Sequence, residues 1–301
     1  TSNFTVTAND NENQSVDRAY SITVTPKLPS DNFNVVTYTG NGGTKAVTGV
    51  GFKPDLVWVK KRSGTGNHYL NDTTRGTNSQ LSSNLIAAAT TYSSNITSYD
   101  TDGFTLGAST DNNANGQTYV AWCWKANGGT TSSNTAGTIT STVQANNDLG
   151  FSIATFTGTG SNGTVGHGLS SAPEVIIFKN YGGVSGWKMF TNQTPSPATQ
   201  VMELQDTSGF QTPTNPFNST LPTSSVFSVG NYSDTNSSGG TFVAYCFASV
   251  AGSSKIGKYT AVSGDNIIET GFKPKFLMIK CTSHGSTNWE ILDSARSPGL
   301  L

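Results

Sequence analysis

The chain has 301 residues, a formal net charge of −1 and 12% charged side chains. That length admits two or three domains, and so weak and balanced a charge leaves no electrostatic footprint for nucleic acid or an anionic membrane surface. Hydrophobic residues make up 34%, and the 33 Gly and an abundance of Thr, Ser and Asn complete a composition that resembles extracellular β-proteins.

Residues 1–28 read as the closing hairpin of a domain. Residues 4–8 (FTVTA) and 20–24 (YSITV) alternate with period two across the polar turn 9–14 (NDNENQ). A lone hairpin is marginal in water and calls for a packing partner. Its turn offers Asp10 and Glu12 as hard oxygen ligands for Ca²⁺, beside the plainer reading of a solvated turn. Residues 27–30 form a short linker.

Residues 31–147 hold a first repeat and a connector. Residues 33–39 (FNVVTYT) form a strand closed by GNGG at 40–43, and a short strand over 45–50 leads into GFKPDLVWVK at 51–60. In that stretch a turn carrying Gly and Pro delivers the chain into an apolar run that a Lys ends, the pattern of a strand buried on both faces. A loop over 61–66 and a strand over 68–72 follow. Residues 76–98 are Ser/Thr/Asn-rich with one apolar patch, LIAAA at 85–89, a helical turn or a weak strand. After FTL at 104–106, the turn DNNANG at 111–116 introduces TYVAWCW at 118–124, too continuously apolar to alternate and therefore a central strand. Residues 127–147 read as a connector with a modest strand over 138–143.

Residues 148–250 repeat the scheme. FSIATFTG at 151–158 matches 33–40, GLSSAPEVIIFK at 168–179 is a worn copy of 51–60, and WKMF at 187–190 takes the place of 68–71. SVFSVG at 225–230, DTNSSG at 234–239 and TFVAYCF at 241–247 match 102–107, 111–116 and 118–124. Residues 255–301 open a third repeat with KYT at 258–260, GFKPKFLMIK at 271–280 and NWEILD at 288–293, but no counterpart of TYVAWCW follows. Half a repeat cannot bury its apolar face alone, so a longer chain or a neighbouring subunit is expected to cover it. The chain does not begin with Met and shows no leader peptide, which reads as a processed chain or a fragment. About seven short strands per repeat, with turn signals between them, predict an all-β fold of tandem antiparallel β-sandwich (jelly-roll-like) repeats.

Three groups of residues invite a chemical reading. Asp111, Asn113 and Asn115 place oxygen side chains at alternate positions before Gly116, like the first half of a Ca²⁺ loop, but Trp122 stands where such a loop has its bidentate Glu. A hairpin turn needs the same residues for positive φ. Asp72 and Arg75, echoed by Asp293 and Arg296, have the spacing of an ion pair that pins a turn; the second repeat has Asn192 near that place. His68, Trp187 and Trp289 share the position where a strand begins, where an aromatic ring can stack on a sugar or close one end of a sandwich. Cys123 and Cys246 occupy matching apolar runs and read as small buried hydrophobes; with Cys281 they make no disulfide framework. No nucleophile elbow, phosphate loop or pair of carboxylates suited to glycoside hydrolysis is visible, so no catalytic residue is assigned.

Taken together, YTG at 38–40, GFKP with its apolar strand and Lys, DGFTLG at 102–107 and NGQTYVAWCW at 115–124 resemble a repeat domain of marine bacteriophage virion proteins, chiefly cyanophage-like tail-fibre and appendage proteins. Residues 1–28 resemble the end of an immunoglobulin-like or cadherin-like repeat. The resemblance implies a non-enzymatic structural or adhesive module of a virion appendage. It implies other virion subunits or further copies of the chain as partners, and a host-surface glycan as a possible contact. Two alternatives stay open: a secreted adhesin or filament subunit at the cell surface assembled by strand addition, and a glycan-active enzyme.

Overall fold

The structure, a computed structural model, describes residues 32–283 and 285–296 in full and the backbone of residues 2–9 and 15–22. The fold is all-β, with antiparallel sheets throughout. β1 (Ser2–Asn9) pairs with β2 (Ser15–Ile22), Phe4 opposite Tyr20. The Asp10 and Glu12 turn lies outside the described residues. No helix among the described residues is long and apolar enough to cross a membrane.

The first unit runs through β3 (Phe33–Thr39), β4 (Lys45–Val47), β5 (Leu56–Lys61), β6 (His68–Asp72), β7 (Ser79–Ser82), β8 (Thr90–Thr91), β9 (Ile96–Asp100), β10 (Gly103–Leu106) and β11 (Thr118–Trp124). Its large sheet has the order β3-β11-β5-β6-β7-β8, and β4-β10-β9 form a small second sheet. The second unit runs through β12 (Ser132–Asn134), β13 (Ser141–Asn146), β14 (Phe151–Thr157), β15 (Gly163–Gly166), β16 (Val175–Asn180), β17 (Lys188–Thr191), β18 (Met202–Glu203), β19 (Val226–Val229), the single-turn helix α1 (Ser233–Asn236) and β20 (Thr241–Phe247). Its large sheet has the order β12-β13-β14-β20-β16-β17-β18, and β15 pairs with β19. The third unit supplies the hairpin β21 (Phe276–Lys280) and β22 (Trp289–Asp293).

The two large sheets agree in order and register. Trp122 of β11 lies between Val35 and Trp58, as Tyr245 of β20 lies between Ile153 and Ile177. The hairpins agree in all three units: Trp58 faces Leu70, Ile177 faces Met189, and Met278 faces Ile291. Because side chains alternate across a strand, each hairpin has two faces with different neighbours. One face of the first, with Val57 and Val59, packs with Cys123 against Phe104 and Leu106 of the small sheet. One face of the second, with Ile176 and Phe178, packs with Cys246 against Val165, Phe227 and Val229. The opposite faces of all three hairpins converge on one apolar core that joins Trp58, Leu70, Ile177, Met189, Met278 and Ile291.

The structure departs from the sequence reading in three places. Residues 127–147 are not merely a connector, because β13 pairs along its whole length with β14 and carries β12 at its edge. Residues 85–89 form neither a helical turn nor a strand. Residues 258–260 are not a strand either. Their counterparts β3 and β14 are held by ladders to the central strands β11 and β20, and no such strand stands beside β21 among the described residues.

Candidate functional site

The recurring GFKP stretch divides into parts with separate physical tasks. Gly51, Gly168 and Gly271 all have positive φ, at +87°, +76° and +82°, a conformation costly to any residue with a Cβ. Phe52 and Leu169 after the first two of these glycines are buried in the two outer cores. The strand then ends in a Lys whose ammonium reaches across the following loop to a backbone carbonyl: Lys60 to Gly66, Lys179 to Ser185, Lys280 to Thr287. Lys179 is fully buried, also donates to Ile86 O of the first unit at 3.0 Å, and is pushed down to about 8 by burial, with Asp234 opposing the fall. The motif is therefore a turn, a core anchor and a loop clamp, repeated three times.

The residues that followed the motif as site candidates lie on the seam between units. Arg75 Nε donates to Asp72 Oδ2 at 2.6 Å, both side chains being almost wholly buried, and Arg75 N donates to Asp72 Oδ1 at 2.9 Å. The same Asp72 Oδ2 accepts the hydroxyl of Tyr245 from the second unit at 2.6 Å. Burial works against the charge of Arg75, but the Asp72 carboxylate holds it protonated. In the third unit Arg296 Nε donates to Asp293 Oδ2 at 2.5 Å, and that oxygen accepts Trp122 Nε1 of the first unit at 3.0 Å, with the guanidinium 5.2 Å from the centre of the Trp122 ring. Tyr245 and Trp122 occupy the same register position, so an O–H and an N–H perform the same service. The second unit places Thr191 and Thr194 where the other two have Asp and Arg, and Thr194 Oγ1 is buried with no hydrogen-bond partner among the described residues.

A second set of contacts runs in the same direction. Trp187 Nε1 donates to Ser82 O and Leu85 O of the first unit at 3.0 and 3.1 Å, and Trp289 Nε1 donates to Glu203 O of the second at 3.1 Å. Ser82 and Glu203 are themselves equivalent, each lying across from the residue after the aromatic. Trp187 is fully buried, so the sugar-stacking reading fails for it: no face is left for a ligand. Trp289 is half-buried against the central core. His68 lies parallel to Trp122 with ring centroids 6.4 Å apart, and its Nδ1 is buried without a partner among the described residues. Burial, then the charges of Lys60 and Arg296, lower it to about 4, so it is neutral at neutral pH.

The second unit thus reaches back to the first with two aromatic donors, Tyr245 and Trp187, the third reaches back to the second with one, Trp289, and the first reaches round to the third through Trp122. Among the described residues, two of the six contacts in that cycle are unmade: a donor from another unit to Thr191 and Thr194, and an acceptor for His68.

The Asp111, Asn113 and Asn115 group is a strut. Asn113 Oδ1 accepts Asn41 N at 3.0 Å, while Nδ2 donates to Gly43 O at 2.6 Å and Gly107 O at 2.8 Å. Asn236 makes the matching set, from Thr159 N and to Ser161 O and Gly230 O. A calcium ligand needs a free oxygen aimed at the cation, and that of Asn113 faces a backbone N–H. Asp111 is half-buried beside Gln80 and Tyr69, and Asn115 is exposed. No group of three or more His, Cys, Asp or Glu able to hold a metal occurs among the described residues. Cys123 and Cys246 are free and buried, and desolvation pushes the Cys246 thiol up to about 12 and that of Cys123 higher still.

Sequence reasoning missed a buried cluster in the second unit. Lys188 pairs with Glu203 and lies 3.2 Å from Asp234, beside Tyr232. Burial alone would lower Lys188, but Glu203, Tyr232 and Asp234 raise it above the ordinary lysine value. In the first unit Tyr69, Ser82 and Asp111 stand at these positions, so the repeat pattern carried no signal for it.

Residues 28–300 match a family model described as a domain of unknown function, DUF7483, and the chain belongs to that family. No curated protein and no solved structure matches it.

Proposed function

We propose that this chain is a non-enzymatic structural and adhesive module of an extracellular appendage, a phage virion appendage in the first instance, built of tandem β-sandwich repeats of jelly-roll-like form. One observation carries the reading: the residues that recur from unit to unit are spent on holding loops and joining the units. The lysines clamp loops, the Asp-x-x-Arg pairs accept a donor from another unit, and Trp187 and Trp289 staple backbone carbonyls across the seam. A chain that uses its distinctive side chains as joints serves to hold shape and set spacing. Adhesion falls to the loops between the hairpin strands, where Val184 is 73% exposed. The second reading, a secreted filament subunit, draws support from β21, which has β22 as its one partner among the described residues.

Antibodies against residues 32–296 test the location. Immunogold label on the appendages of virions from the encoding organism's lysate supports the virion reading. Label on secreted filaments with bare virions overturns it in favour of the second. A glycan array probed with the whole chain tests adhesion, and no binding leaves a spacer.

A further inference from the structure

The third hairpin repeats the first two in register but not in surroundings. β5 and β16 each have a central strand along the edge away from their hairpin partner, β11 and β20, with Trp122 opposite Trp58 and Tyr245 opposite Ile177. The same edge of β21 is unpaired among the described residues. Leu56, Val57, Trp58 and Val59 are 0–5% exposed, whereas every residue of β21 is partly exposed. Val57 and Val59 face a small covering sheet, and no outer core of that kind forms over Leu277 and Ile279 among the described residues. Exposed large apolar side chains gather in the segment before β21: Tyr259, Val262, Ile267 and Ile268, the third of them 85% exposed. An unpaired, apolar strand edge is a template for another strand.

We propose that the open edge of β21 binds an added antiparallel strand of the β11 and β20 type, an extended segment with the pattern Thr-aromatic-Val-Ala-aromatic-Cys-aromatic. The pattern is set by two independent features. The register of the first two units fixes which residue lies opposite which. The vacant seam contact then fixes the chemistry of the central aromatic: Trp122 meets Asp293 and Tyr245 meets Asp72, so the added strand's central ring would present its N–H or O–H to Thr191 and to the unpartnered Thr194 hydroxyl. β11 and β20 cannot supply that strand themselves, being paired on both edges at the centre of their own sheets. The occupant is therefore a separate segment of the same kind. This inference does not depend on the virion reading.

The test uses the whole 301-residue chain and a fluorescent synthetic peptide with the sequence of residues 116–125, GQTYVAWCWK. Saturable binding is expected, with hydrogen-exchange protection at 276–280 on binding. A peptide with Ala in place of the central Trp should bind about tenfold more weakly. Register is read by cross-linking. The peptide's Cys corresponds to Cys123, which lies opposite Val57, the counterpart of Leu277. A Leu277→Cys chain in a Cys281→Ser background should form a disulfide with the peptide under glutathione disulfide, and Met278→Cys should not. No binding to the unaltered chain, or equal binding by a scrambled peptide, overturns the proposal. So does preferential binding of a peptide spanning residues 1–23, which would make the hairpin of a second copy the occupant.

Discussion

The first hairpin, β5–β6, ends in a carboxylate, and the second, β16–β17, ends in a hydroxyl. The two are otherwise alike in register, in the Lys that closes the strand and in the core their inner faces share. The difference follows the neighbour. Asp72 sits where Tyr245 delivers a hydroxyl from another unit, and Arg75 neutralises the carboxylate in a site that excludes water. Thr191 and Thr194 sit where no donor from another unit arrives among the described residues, Thr191 Oγ1 accepting only Gln193 N from its own turn, and an uncompensated charge there would carry its full desolvation cost. The buried Asp72–Arg75 pair is thus part of a joint rather than a general stabiliser.

Breaking the pair gives the largest expected effect. Asp72→Ala leaves Arg75 charged and buried and removes the acceptor of Tyr245, a loss of about 3–5 kcal/mol. Thr191→Ala, at the equivalent place, removes one hydroxyl and should cost about 1 kcal/mol. Urea unfolding of both variants decides the matter, and equal losses would mean the pair has no special role at the seam.

The aromatic position where the strand begins sharpens the comparison through pH, because His68 titrates and Trp187 does not. His68 falls to about 4 in the folded chain. A base whose folded value is depressed binds its proton more readily when unfolded. Stability is therefore intact above pH 6.5 and lost as pH falls from 6.5 towards 4, by about 3 kcal/mol at the lower end. His167, fully buried and lowered by burial, acts in the same direction. His68→Leu should flatten most of the acid loss in unfolding free energy measured between pH 7 and 4. An unchanged slope would assign the loss to His167 and the carboxylates.

A smaller effect belongs to the staples. Trp187→Phe puts a smaller ring in place of the buried indole and removes the donor to Ser82 O and Leu85 O, which should cost about 1–2 kcal/mol from the lost hydrogen bonds alone and raise hydrogen exchange in residues 82–89. Trp289→Phe loses a single carbonyl contact and should cost less.

Much of this architecture was legible in the sequence because strands announce themselves by residue type. FNVVTYT, the GFKP copies and the two Tyr/Trp-Cys runs each became the strand expected of them, in matching registers. What stayed hidden works through the backbone or through another unit. β7, β8 and β9 lie in a Ser/Thr/Asn-rich stretch whose ladder bonds need no apolar side chain. The segment 85–89 matters for its carbonyls, which accept Trp187 and Lys179, and no residue type marks a carbonyl. The Asp-x-x-Arg pairs could be read as pairs, but not the partner of each, because Trp122 and Tyr245 come from sequence positions 171 and 173 residues away.

The smallest expected effect is none, and it tests the turn that the two units share most closely. Asn113 and Asn236 each use one oxygen and one amide to tie their turn to the neighbouring loop and to the glycine before it. For Ca²⁺ to enter, Asn113 would have to give up the bond from Asn41 N and turn its amide away from Gly43 O and Gly107 O, leaving the buried Gly107 O unpaired at about 1–3 kcal/mol. Only Asp111 brings a full charge to repay that loss, too little for a cation that takes 6–8 oxygens. The melting midpoint in millimolar calcium should therefore match that in EDTA, for the whole chain and for Asn115→Ala alike. A calcium-dependent rise that Asp111→Asn abolishes would return the turn to a metal site and separate the first unit from the second, where Asp234 is already engaged by Lys188.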